Sequence, residues 1–124
     1  MRRTVAFFEI PAIDFNRAMN FYQTILGVSL FPCDCATEKM AFFPEEDGKC
    51  PGAVSWTSEM RFNPSQDGVL ISLTCEDVER TLSKVQAYGG TTVIPKTKIE
   101  ADNMGYFGVF IDSEGNRIGL YSDK

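Results

Sequence analysis

A repeat restricts this sequence more than any other feature. Asp14–Gly27 and Asp77–Gly90 have equal length, and laying one half of the chain over the other superposes both ends. Phe15 then falls on Val78, Arg17 on Arg80, Met19 on Leu82 and Tyr22 on Val85. The apolar runs upstream also coincide, with Phe7 on Leu70, Phe8 on Ile71 and Ile10 on Leu73. Each half reads as strand–helix–strand–strand–strand, and such a repeat outweighs the reading of any single element. A module of that size is too small to bury both faces of its sheet, so the two must share one core or curl around one cleft.

The local signals supply the elements. Thr4–Ile10 is rich in Val, Phe and Ile and stops at Pro11, which predicts a strand. Asp14 is placed to cap a helix over Phe15–Leu26, whose apolar residues recur at helical spacing, and Gly27 is placed to end it. Strands are expected at Val28–Cys33, Lys39–Phe43 and Gly52–Thr57, with Pro44–Gly48 an acidic turn. A polar linker follows at about 58–68. The second module is expected to place strands at Val69–Cys75 and Thr91–Ile94, with a helix between them capped by Asp77. A charged flap at Lys96–Asn103 leads to a hairpin of Gly105–Asp112 and Asn116–Tyr121. At its turn, Asp112 and Asn116 can bond the backbone and Gly115 can take positive φ. The whole is one domain over 1–124, with module one at about 4–57 and module two at about 69–122.

The hydrophobic fraction of 44% supports a packed core. A net charge of −5 argues against nucleic acid, which requires a basic surface. No apolar run approaches a membrane span and no signal-type core follows Arg2 and Arg3, so a cytoplasmic protein is expected. In that setting Cys33, Cys35, Cys50 and Cys75 are read as free thiols. The chain holds no histidine. That removes His-based triads, His general bases and every His-containing metal site.

Several stretches together resemble the vicinal oxygen chelate superfamily, which includes glyoxalase I, fosfomycin and bleomycin resistance proteins, and extradiol dioxygenases. They are Phe8–Asp14, then Arg17-Ala-Met-Asn-Phe-Tyr22, Leu26-Gly27, Gly89-Gly90, and Phe110-Ile-Asp-Ser-Glu-Gly-Asn-Arg-Ile-Gly-Leu120. The resemblance implies an α+β fold of two tandem βαβββ modules, their mixed sheets curled around a cleft, commonly as a homodimer. It also implies a divalent metal (Ni, Zn, Mn or Fe) held by His and Glu from the first and last strands of each module. Carried over by position, those ligands fall on Phe7, Leu70 and Gly119, with the fourth near Ser55. None supplies a carboxylate or imidazole donor, so no metal ligand and no cofactor is expected.

The cleft is expected to be lined by Phe7, Glu9, Trp56, Leu70, Ser72, Gly119 and Tyr121. Glu9 shares a strand face with Phe7, as Ser72 does with Leu70 and Tyr121 with Gly119. In a pocket walled by Phe7, Leu70 and Trp56, Glu9 is a candidate general acid or base, or a polar anchor for a ligand. Its competing reading is an edge residue paired with Arg17 or a lysine. Three functions follow. The first is a metal-free aromatic cleft for a small organic molecule. The second is a glyoxalase-type lyase or isomerase using Glu9 or other metal ligands. The third is a partner-binding subunit with a vestigial cleft. The absent histidines and Gly119 favour the first over the second.

Overall fold

A computed structural model describes residues 4–101 and 104–124. Its elements run β1 (Phe8–Pro11), α1 (Phe15–Leu26), β2 (Phe31–Asp34), β3 (Glu38–Phe42), β4 (Gly52–Thr57), β5 (Ser72–Thr74), α2 (Val78–Ala87), β6 (Thr91–Lys98), β7 (Tyr106–Ile111) and β8 (Arg117–Ser122). They form two four-stranded mixed sheets ordered β1-β4-β3-β2 and β5-β8-β7-β6. The βαβββ unit therefore occurs twice, as the repeat requires. In each copy the first strand runs parallel to the last, β1 to β4 and β5 to β8. Neither helix is long and apolar enough to cross a membrane.

The helix ends follow their caps. Asp14 accepts the Arg17 N–H at 3.1 Å, and Gly27, at φ 65°, closes α1 with its N–H on the Gln23 carbonyl. Asp77 caps α2 through the Glu79 N–H at 2.9 Å. One face of each helix is buried, Ala18, Phe21, Tyr22 and Ile25 on α1 and Val78, Thr81, Leu82 and Val85 on α2. Both faces enter a single core with Ile10 and Val54 of the first sheet and Phe110, Ile118 and Leu120 of the second. Phe21 meets Phe110 with ring centroids 6.1 Å apart, and Tyr22 meets Phe43 at 5.9 Å. Each such side chain contributes roughly 1.5–3 kcal/mol on full burial. Neither module retains this core alone.

Several strands differ from expectation. β1 begins at Phe8 rather than Thr4, because pairing to β4 starts with the Phe8 N–H on the Pro51 carbonyl at 3.2 Å. β2 starts at Phe31, not Val28, and β5 is confined to Ser72–Thr74, leaving Val69 87% exposed. β6 runs through Pro95 to Lys98 instead of stopping there. It is an edge strand whose register shifts between Ile94 and Thr97, so no ladder bond depends on the missing proline N–H. The expected flap thus begins as strand, and its Asp102 and Asn103 lie outside the described residues.

Candidate functional site

The two sequence motifs meet across the modules. The turn of the β7–β8 hairpin docks on the start of α1 and the end of β1. Asp112 accepts the N–H groups of Glu114, Gly115 and Asn116 on one oxygen, each at 2.9 Å. Its other oxygen accepts the Tyr22 hydroxyl at 2.6 Å and the Asn116 amide at 3.0 Å. The same Asn116 amide donates to the Pro11 carbonyl at 2.8 Å. Glu114 is buried and accepts the Ile13 and Asp14 N–H groups at 2.8 and 2.7 Å and Arg17 Nε at 2.8 Å. It is thus a second anion at the positive end of α1. Burial opposes its ionisation most, but Arg17, the backbone donors and Ser113 outweigh it and hold its pKa below the usual carboxylate range. Burial, then the adjacent Asp112 charge, pushes the Tyr22 hydroxyl well up. Arg17 is therefore engaged with Glu114, not with Glu9.

This latch fixes the seam between the modules. β1 and β5 are edge strands of separate sheets. In the first sheet Glu9 pairs with Ala53, so Phe7, Glu9, Phe42 and Ser55 share the face turned away from the helices. Phe7 and Phe42 lie 6.2 Å apart there. Trp56 lies on the opposite face with Val54, where Lys39 sits 5.7 Å from its ring. Glu9 and Trp56 therefore do not meet across a pocket. Glu9 is exposed, which removes the burial on which an acid–base role depended. Ser55 is 2% exposed, and its hydroxyl has no hydrogen-bond partner among the described residues.

In the second sheet, Ser72 pairs with Gly119 and Thr74 with Tyr121. A Cβ built on Gly119 would collide with the Ser72 hydroxyl. The space beside Gly119 is therefore filled by Ser72. Tyr121 donates to Asp123 at 3.1 Å, and Leu70 is 46% exposed ahead of β5. The structure thus joins Ser72, Gly119 and Tyr121 as one group and Phe7 and Glu9 as another.

Two cavities flank the seam. One, of about 350 Å³, lies between Phe8, Leu26, Val28 and Phe43 of the first module and Ser72–Thr74 of β5, with Glu45 and Glu46 among its lining residues. The other, of about 340 Å³, runs along β1 and is closed by Phe62 of the linker, Ile71 and the start of β8. It contains Glu9 and also Arg117, which sequence reading passed over. Arg117 lies two residues before Gly119 on the same strand face, so the alternation that selected Gly119 and Tyr121 also selects it. Trp56 lines a third cavity, with Ala12, Ile13 and Phe62.

Paired βαβββ modules joined by a hairpin latch, with cavities along their seam, define the fold class. The match to a family model for the glyoxalase/bleomycin resistance protein/dioxygenase superfamily covers residues 4–120, and the chain belongs to that family. No curated protein sequence matches it. Among solved structures, a glyoxylase/bleomycin resistance protein/dioxygenase domain from Frankia sp. EAN1pec superposes with a TM-score of 0.72 at 13% identity, covering 100% of both chains. A glyoxalase/bleomycin resistance protein from Albidiferax ferrireducens T118 gives 0.71 at 16% identity, covering 97% of this chain and 98% of the other. Glyoxalase I from Zea mays gives 0.70 at 16% identity over 94% of this chain, which spans only 45% of the maize protein. Identities this low speak to the fold alone.

The resemblance implies a divalent metal at the positions of Phe7, Ser55, Leu70 and Gly119. A phenyl ring at Phe7, an isobutyl group at Leu70, no side chain at Gly119 and a lone hydroxyl at Ser55 do not make a donor set for a divalent ion. Among the described residues no three His, Cys, Asp or Glu side chains gather into a metal-binding group. These four positions do not fit the metal that the resemblance implies.

Proposed function

We propose that the chain binds a small organic molecule at the seam between its modules, without a divalent metal. The cavity along the free edge of β1 carries this reading. Its volume of about 340 Å³ falls in the range of small-ligand sites, and its walls are largely apolar with a few polar groups. The replaced metal positions favour binding over the metal-assisted chemistry of the relatives. Exposure of Glu9 counts against its use as a general base.

Self-association as a homodimer belongs to the same proposal. Phe7, Phe31 and Leu70 are exposed to 36%, 62% and 46% and offer apolar surface to a second copy. The ligand site would then lie beside the dimer contact.

The test is a thermal-shift screen of a metabolite and antibiotic library in the presence of a chelator, with sedimentation in parallel. Hits that stabilise the chelated protein by several degrees support the reading. A library that leaves the midpoint unmoved sinks it.

A further inference from the structure

The cavity beside β1 is lined by two residues of opposite charge. Glu9 comes from the middle of β1 and Arg117 from the first position of β8, and both line it. Among the described residues ion pairs are made elsewhere, by Arg17 with Glu114 and by Lys96 with Asp77. Among the described residues, neither Glu9 nor Arg117 has an ion-pair or side-chain hydrogen-bond partner. Around them stand Phe8, Ile10, Phe62, Ile71 and Ile118. The Phe8 and Ala12 N–H groups bond toward β4, on the Pro51 and Ser55 carbonyls. By alternation the Glu9 N–H and C=O point to the free edge along which the cavity runs.

A lone anion in this cavity would face the Glu9 carboxylate, and a lone cation would face Arg117. A ligand carrying both charges meets a complement for each. The guanidinium fork suits a carboxylate in particular, because its N–H donors match both oxygens. The exposed backbone groups of Glu9 add one donor and one acceptor, and the apolar walls accept a hydrocarbon side chain.

We infer that this cavity takes a small zwitterion, an α-amino acid with an apolar side chain, its ammonium at Glu9 and its carboxylate at Arg117. The inference rests on the reading that the seam binds a small molecule and narrows that reading to one charge class.

The experiment is calorimetric titration of the full chain with leucine and phenylalanine, each compared with its N-acetyl derivative, which lacks the cation, and its amide, which lacks the anion. The free amino acid should bind at least about tenfold more tightly than either derivative, as expected for loss of one charge-assisted contact. Glu9→Gln should abolish the preference over the N-acetyl derivative and keep the preference over the amide. Arg117→Gln should do the reverse, and Arg117→Lys, which keeps the charge and loses the fork, should keep a preference over the amide but bind more weakly than the parent chain. Equal binding of all three forms, or preferences unmoved by either variant, overturns the inference. So does a panel that fails to bind while other library compounds stabilise the protein, an outcome that leaves the broader reading standing. Silence from both panel and library overturns the two together.

Discussion

Tyr22→Phe removes one oxygen from the centre of the latch and leaves the ring in place. Tyr22 is 0% exposed, so solvent cannot reach the group left behind. Its hydroxyl donates at 2.6 Å to an Asp112 oxygen whose only other side-chain donor among the described residues is Asn116 at 3.0 Å. The other Asp112 oxygen keeps its three backbone donors. The variant therefore loses one charge-assisted bond to a buried carboxylate while keeping the ring packing on Phe43. Such a bond is worth about 2 kcal/mol, a fall in Tm of roughly 6–10 °C for a domain of this size. Urea unfolding of the two proteins measures it, with an unchanged m-value showing that both unfold from the same compact state. A loss below about 0.5 kcal/mol would show that the latch does not hold the modules together.

Two further outcomes follow from the same geometry. Glu114 has a lowered pKa in the folded protein, so its contribution is full above its ordinary value near 4.5 and is lost as pH falls through the lower folded value. Glu114→Gln should cost about 2 kcal/mol at neutral pH, after allowance for the half-exposed Arg17, and the gap should close in acid; a gap that persists in acid refutes the linkage. Gly119→Ala should destabilise by about 1–2 kcal/mol through collision with Ser72, and less in a Ser72→Ala background. A double-mutant cycle showing strict additivity would contradict that contact.

The parts legible in the sequence were those set by local chemistry. Asp14 and Gly27 bound α1 at both ends, and the Asp112–Asn116 turn folds with the side-chain bonds its composition specifies. The repeat carried the topology because both copies need the same burial pattern. What was not legible depends on pairing between distant strands. The β1–β4 register sets Glu9 opposite Ala53, which brings Ser55 to its face and turns Trp56 away; a shift of one residue would reverse both. The latch was half visible, since Arg17, Tyr22, Asp112 and Glu114 all sit in the two motifs, but nothing local says that the motifs touch. Val69 and Leu70 read as strand by composition and lie outside it, because β5 pairs with β8 only from Ser72. Pro95 reads as a stop and is tolerated on an edge.

The central claim, ligand binding without a divalent metal, is tested most directly by one paired measurement. The purified protein is assayed for bound metal, and its best small-molecule hit is then titrated calorimetrically before and after exhaustive chelation. Metal-free binding predicts substoichiometric metal and the same affinity in both titrations. Stoichiometric Ni, Zn, Mn or Fe, with affinity lost on chelation and restored by the ion, would contradict it.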